Sequence, residues 1–565
     1  MDIKKEFPRG ILRSELLMGT VHTVTAYNVQ VNLTDAGAPS GSYYQGGRYG
    51  KGEVGEFVII EGQINLVLGR VVEVKKDDIS KRNEDALGKI QLLGSICMET
   101  LRVTAGVESY PRLGDRVYAA PHKLVAKIPE LMDKEDDIPI TLKLGSVDVA
   151  QESIVQIKPE KLFGRHLAIL GSTGGGKSWT TAKIIEECLK FKSKMILLDA
   201  TGEYRDFENE SIEHVHLANP VKTAENSTAY SLPPTSFQES DFIALFEPAG
   251  KVQGPKFKEA IKSLRLASLC SDKFPDGYIL KINQSKTDYN TAMNENGVSE
   301  KIDDPAIPFD VSKIAKQIEQ ECVWPEGGYA NNPDPSKWGK EDGNYSHCLS
   351  LITRINCIFS SPAFNCVFKE IDTQSLISKI DSFLQDDKKL LRIDLSGIPF
   401  EYKAREIISN VIGRFLLNKS RKKAFDLKPL IVFLDEAHNF LGKHIGGEDT
   451  VAKLDAFELI AKEGRKFGLN ICLATQRPRD ITEGVLSQIG TMIVHRLTND
   501  RDRDVVERAC GEIDRAASAF LPNLKPGEAA IIGNDFPIPL TVQITAPAIK
   551  PNSSGPDFQI AWRNV

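Results

Sequence analysis

The 565-residue sequence contains no uninterrupted apolar run of the about 18 residues that a membrane-crossing helix needs. Its opening, Met1-Asp-Ile-Lys-Lys-Glu6, is polar and offers no apolar stretch for a secretory leader. The expectation is a cytoplasmic protein with no membrane anchor. Cysteine is sparse: nine residues, an odd number with no C-x-x-C pair, indicate neither a zinc site nor a disulfide framework. Reduced thiols are expected, and the adjoining His347 and Cys348 are not read as a metal site. Positive charge is not in excess either. The formal net charge is −6, so any nucleic acid has to be held by a local basic surface, such as a pore, rather than by overall charge. There is no internal repeat, no low-complexity tract and no motif that reads RNA or DNA bases. Binding to nucleic acid would therefore go to the backbone and be independent of sequence.

What is present is ordinary globular composition, 41% hydrophobic and 26% charged, at a length that suggests roughly two to four domains. Residues 1–155 read as a small β-barrel. Thr20–Leu33 alternates β-branched residues, Phe57–Ile60 and Leu66–Val74 follow as strands, and Lys89–Glu99 and Arg116–Ala119 continue the pattern. The loop Asp35–Gly55, with Tyr43 and Tyr44, reads either as a contact loop or as a mobile strand connection. From Leu162 strands alternate with helices, which predicts a parallel α/β sheet built from 156–230 and 387–540. Between them, 231–386 reads as a helical insertion with helices at Ser240–Phe246, Lys256–Leu269, Val311–Glu319 and His347–Phe359. A polar stretch lies near Ala330–Asn344, and the tryptophans Trp324 and Trp338 either cover the insertion's own core or meet a partner. The tail, 541–565, is expected to leave the body and pack on a neighbouring subunit.

The chain is organised around Gly171-Ser172-Thr173-Gly174-Gly175-Gly176-Lys177-Ser178, which matches the phosphate-cradling pattern G-x-x-x-x-G-K-[ST]. A short apolar strand, His166–Leu170, precedes it, and a helical pattern starting at Trp179 follows. Strand, glycine loop and helix is the context the motif requires. Glycines let successive backbone N–H groups point at phosphate oxygens beside the positive end of the helix. Lys177 would reach the β- and γ-phosphates, and the Ser178 hydroxyl would ligate Mg²⁺. Gly171 to Trp179 is thus the expected ATP-binding stretch.

Downstream, the apolar run Leu430–Leu434 ends in Asp435-Glu436. A buried strand that delivers two carboxylates at its tip places them in the crevice where open α/β sheets bind ligands. Asp435 would hold the Mg²⁺ shell and Glu436 would orient the attacking water, which separates hydrolysis from kinase-like transfer. Strand Leu469–Ala474 leads to Thr475-Gln476, whose amide could bond the γ-phosphate or the water. After the strand ending at Asp199, the segment Asp199-Ala-Thr-Gly-Glu203-Tyr204 carries carboxylates that either assist the metal or water, or cap a turn. By spacing alone Arg165, Lys443 and Arg465 are surface cations. So are the groups Arg421–Lys423, Lys251–Lys258 and Lys443-His444, the available material for a nucleic-acid surface.

Five blocks in this order resemble the HerA family of the FtsK–HerA branch of P-loop motors: Gly164–Ser178, Asp199–Tyr204, Leu434–His438, Glu463–Gly468 and Ala474–Pro478. The resemblance implies an α/β P-loop, RecA/FtsK-like ATPase domain with an N-terminal small β-barrel and a helical insertion. It also implies a homo-hexameric ring with ATP at the subunit interfaces and double-stranded DNA through the middle. Carried over by residue, Lys177, Ser178, Asp435, Glu436 and Gln476 act in cis, while Arg165, Lys443 and Arg465 match basic interface positions that serve a neighbour's transition state. Family members work with a partner, a nuclease resembling NurA or a sirtuin-like or other effector in phage defence. Two functions follow: a DNA translocase that feeds such a partner, or an ATP-regulated scaffold that assembles and activates it. A conjugative coupling motor is disfavoured by the missing membrane helices.

Overall fold

The computed structural model describes residues 11–33, 42–44, 47–76, 86–132, 140–147, 153–305, 307–329, 332–369, 373–441, 444–445, 452–510, 520–553 and 558–563. Two compact units divide the chain: Met1–Ser193 together with Asn470–Val565, and Lys194–Leu469.

The first unit opens with the expected barrel. Six antiparallel strands run in the order Asn28–Leu33, Leu17–Val24, Arg116–Ala119, Phe57–Ile60, Asn65–Lys76 and Ala86–Cys97, and the last pairs back onto the first to close the circle. A seventh, Val103–Ala105, sits on the outer end. Period-two patterning does the work: in Asn28–Leu33, Val29, Val31 and Leu33 face inward with no exposed area. They join Leu16, Met18, Ile60, Val67, Val71 and Ile90 in one apolar core. At the barrel wall the buried guanidinium of Arg70 lies over the rings of Phe57 and Phe520 and donates to Thr541 Oγ1 at 3.1 Å.

Leu142–Ser146 and Ile154–Ile157 pair with each other, and Leu142–Ser146 pairs with Phe536–Ile544, so they continue the second sheet and the barrel ends before residue 142 rather than at 155. Alternation identifies a strand but not the sheet it joins. The tail likewise does not leave the body at 541. Residues 541–544 finish the strand Phe536–Ile544, in which Ile538, Leu540 and Val542 are buried despite Pro537 and Pro539. Those prolines are tolerated because the second neighbour of this strand engages only Gln543 and Ile544. Beyond it, Thr545 N donates to Leu144 O at 2.9 Å and Ala548 N to Glu186 Oε2 at 2.6 Å.

The sheet of the first unit then runs Phe536–Ile544, Glu528–Gly533, Thr491–Val494, Leu167–Leu170 and Leu469–Thr475. Its last three strands are parallel, with Leu167–Leu170 in the middle. In the second unit Leu430–Leu434, Lys194–Asp199, Leu390–Asp394, Ile212–Leu217 and Thr228–Tyr230 are all parallel. Lys194–Asp199 and Leu390–Asp394 are buried throughout, as parallel strands covered on both faces must be. The insertion is helical as expected, with its main helices at Glu239–Phe246, Gly250–Leu269, Ile314–Glu321, Asp342–Ser360 and Leu376–Gln385. The polar stretch is not irregular: Gly327–Tyr329 pairs with Asn332–Asp334, and Val323–Trp324 with Gly339–Lys340. Trp338 meets Tyr289 edge-on at 5.4 Å and serves the insertion's core, whereas Trp324 is exposed.

Gly468 precedes the strand Leu469–Thr475 at φ +70°, and a Cβ there would lie 2.3 Å from the Phe425 carbonyl oxygen. Gly468→Ala is expected to lower stability by about 1–3 kcal/mol, since the clash adds to the cost of a left-handed alanine. A urea midpoint equal to that of the wild type would contradict this.

Candidate functional site

The first half of the site belongs to the first unit. Leu167–Leu170, flanked on both sides by parallel strands and fully buried, ends in the loop Gly171–Gly176, and the helix Lys177–Leu189 starts directly after it. Gly174 (φ +73°) and Gly176 (φ +115°) occupy conformations that side chains rarely adopt, and this is what turns the loop back on itself. Gly175 N donates to Ser172 O at 3.0 Å, and the Lys177 ammonium folds over the loop to the same carbonyl at 3.2 Å. Thr173 Oγ1 donates to the side-chain oxygen of Gln476, so the amide expected at the adjacent strand tip does touch the loop.

Sequence reasoning missed the wall behind that loop. Arg496 O accepts from both Ser172 N and Ser172 Oγ, each at 3.0 Å, and Gly527 N donates to Gly175 O at 3.3 Å. His495 fills the remaining space: a Cβ on Gly171 or Gly176 would come within 2.6 and 3.1 Å of it. Its Nδ1 lies 2.8 Å from Glu528 O and its Nε2 lies 2.8 Å from Thr180 Oγ1. A carbonyl can only accept, so Nδ1 carries the proton and Nε2 accepts from Thr180. Burial, against the Glu528 hydrogen bond and with Lys177 nearby, pushes the imidazole down to about 4, and it stays neutral over the working pH range. A single histidine at the end of an apolar strand carries no spacing that would have marked it.

The second half belongs to the second unit. Because Lys194–Asp199, Leu390–Asp394 and Leu430–Leu434 are parallel and in register, Asp199, Asp394 and Asp435 arrive at one edge of the sheet. Asp199 answers the question its motif left open: it organises the turn. Its carboxylate accepts from Gly202 N at 2.7 Å, Thr201 N at 3.2 Å and Tyr204 N at 3.1 Å. Arg392, fully buried, donates through Nε to Asp199 at 2.7 Å and through Nη2 to Asp394 at 2.8 Å. The turn so held presents two hydroxyls to Asp435, Thr201 Oγ1 at 3.2 Å and Tyr204 OH at 3.4 Å. Arg405 fixes the same region from behind, donating to Ala200 O at 3.1 Å and to Ser396 O at 3.2 Å.

Burial, then the charges of Asp199, Glu203 and Glu436, push the Asp435 carboxyl well above the usual carboxylate range. Glu436 follows in a left-handed conformation (φ +48°), with its carboxylate 3.3 Å from His438 Nδ1. An acid crowded by other acids and supplied only with hydroxyl donors is the hard-oxygen chemistry of a Mg²⁺ ligand. No cluster of three His, Cys, Asp or Glu ligands converges among the described residues.

Residues 142–415 match the family model described as the central domain of the helicase HerA. The fold is that of a RecA/FtsK-like P-loop ATPase. A DNA double-strand break repair helicase HerA of Sulfurisphaera tokodaii is 24% identical over 527 residues, 90% of this chain and 92% of its own. The HerA of Saccharolobus solfataricus is 25% identical over 409 residues, covering 71% and 68%. A probable helicase of Methanocaldococcus jannaschii is 25% identical over 499 residues, covering 85% and 82%. Among solved structures, VirB4 of Thermoanaerobacter pseudethanolicus overlaps at a TM-score of 0.44 with 12% identity, covering 73% of this chain and 97% of its own. The conjugative coupling protein TrwB overlaps at 0.43 with 14% identity, covering 77% and 94%. Overlaps this loose add nothing to the sequence match.

Of the three expected basic residues two are described, and neither joins the half-site of its own unit. Arg165 lies at the opposite end of Leu167–Leu170 from the phosphate loop and pairs with Asp535 at 3.4 Å. Arg465 is exposed in the turn Gly464–Phe467, before the strand whose far end carries Gln476. Lys443 lies outside the described residues.

A carboxyl whose proton affinity is higher in the folded state than in the unfolded one makes stability fall as pH rises from about 4 through the raised value. Asp435→Asn removes that penalty. In the absence of Mg²⁺ its thermal midpoint is expected to exceed that of the wild type at pH 7, with the difference vanishing toward pH 4. A lower midpoint at pH 7 would refute the assignment.

Proposed function

We propose that the chain is an ATP-hydrolysing ring motor whose six copies bind nucleotide at their interfaces and move double-stranded DNA. Strand polarity is the observation that carries this reading. The phosphate loop follows the carboxyl end of a parallel strand, and so do Asp199, Asp394 and Asp435, on the side where open α/β sheets take ligands. In the proposal both halves serve one triphosphate. Lys177 and the loop N–H groups hold the phosphates, and Ser178 and Asp435 hold Mg²⁺, which when bound offsets phosphate charge. Glu436 orients the water and draws off its proton. Gln476, through its bond to Thr173, couples the loop to that water. Arg165, Lys443 and Arg465 lend positive charge to a neighbouring copy's site, which is consistent with the distance of Arg165 and Arg465 from their own.

The DNA substrate is supported by relatives named as DNA double-strand break repair helicases. On this reading the partner is a nuclease of the NurA kind or a sirtuin-like or other defence effector, and the insertion is the surface it meets. The second reading, an ATP-regulated scaffold without processive movement, is favoured by the pairing of basic groups on the surface. Arg421 is engaged by Glu463, and Lys256 by Glu259 at 2.9 Å. ATPase rates with and without linear duplex at two salt concentrations separate the two. Strong, salt-sensitive stimulation supports translocation, whereas DNA-indifferent hydrolysis that tracks partner binding supports the scaffold.

Lys177→Ala is expected to abolish nucleotide binding or turnover. Glu436→Gln is expected to keep ATP while slowing turnover by roughly 10²-fold or more. Normal turnover in that variant would remove Glu436 from its role. Arg465→Ala is expected to leave nucleotide affinity intact and depress turnover, and mixing it with Glu436→Gln subunits should restore part of the activity. No recovery in any mixture would count against action across a subunit boundary.

A further inference from the structure

One aromatic ring beside the phosphate loop takes no part in the chemistry above. Trp179 follows Ser178 in the first turn of the phosphate-loop helix and is 36% exposed. A large flat ring left open there is unusual, because its neighbours Lys177 and Thr180 are buried. The C-terminal segment reaches it. Ala548 N bonds Glu186, two turns further along the same helix, at 2.6 Å, and this brings the Lys550 ammonium over the indole, 5.5 Å from the ring centroid.

We infer that Trp179 is the platform on which the base of the nucleotide stacks, and that Lys550 occupies the ring face until the base displaces it. The inference rests on the nucleotide-site reading above. Phosphates gathered by the loop and by the first-turn N–H groups of the helix leave the rest of the nucleotide to pass the next side chain outward, which is Trp179. Stacking a base on an aromatic ring is worth roughly five- to a hundredfold in binding, an exposed ammonium on the same ring only about two- to fivefold. The base therefore wins the face. The face of an aromatic ring selects by area, so adenine and guanine are held alike and the smaller pyrimidines less well. Once Lys550 is displaced, the segment from Thr545 to Lys550 loses one of its anchors, and the C-terminal segment registers whether a base is present.

The test is equilibrium binding of Mg²⁺ complexes of ATP, GTP, CTP and inorganic tripolyphosphate to the full chain. Trp179→Ala is expected to weaken ATP and GTP by roughly tenfold or more and to close the gap between ATP and CTP, leaving tripolyphosphate unchanged. Trp179→Tyr should recover most of the loss. Lys550→Ala is expected to tighten ATP about two- to fivefold without affecting tripolyphosphate. If Trp179→Ala weakens tripolyphosphate as much as ATP, or leaves ATP unaffected, the platform is wrong. Weaker ATP binding in Lys550→Ala would overturn the displacement. A wild-type chain that binds neither ATP nor tripolyphosphate would sink the nucleotide site itself, an outcome distinct from either.

Discussion

Arg392 has no solvent-exposed surface and spends its charge on two aspartates at the tips of neighbouring strands. Removing three ions from water costs more than their attraction returns unless every contact is well made, so such a cluster adds little net stability. What it supplies is position. With Asp199 fixed from one side by Arg392 and from the other by three backbone N–H groups, the turn through Thr201 and Tyr204 has one conformation, and Asp435 inherits its hydroxyl partners from that turn. One cation shared by two anions also leaves the surroundings of Asp435 net negative. This is part of why its carboxyl resists ionisation in the absence of a metal.

The phosphate loop reaches the same end by a neutral route. The Ser172 N–H and hydroxyl are tied to Arg496 O and the Gly175 carbonyl to Gly527 N, and an uncharged imidazole fills the hollow behind the glycines. A protonated histidine there would be repelled by Lys177 and pay a large desolvation cost. The hydrogen bonds of His495 to Glu528 O and Thr180 leave room for one tautomer only. Donors held in place before any ligand arrives need no rearrangement when one does.

Much of this was legible from residue order. The glycine loop, the Asp435-Glu436 tip and Gln476 are short, local patterns whose chemistry constrains spacing, and their flanking apolar runs are strands because fully buried parallel strands have no other composition to use. Barrel strands were readable from period-two alternation. The supports were not readable. His495, Arg392, Arg405 and Gly527 act across strand pairings tens or hundreds of residues apart, and nothing in their immediate sequence distinguishes them from any buried polar residue. The sheet that Leu142–Ser146 and Ile154–Ile157 join was not readable either, since strand pattern is local and sheet membership is not. The small hairpins between Val323 and Lys340 hide in polar sequence because their strands bury almost nothing.

The barrel's closure restricts how it can be approached. Asn28–Leu33 and Ala86–Cys97 pair with each other, and among the described residues the strand of the barrel sheet left with an open side is Val103–Ala105, three residues long. The described strands of the closed barrel offer an extended peptide or a second copy no long edge to pair with. Whatever docks on the barrel has to read side chains and loops, so its choice of companion is free to drift by surface substitution while the wall beneath stays untouched.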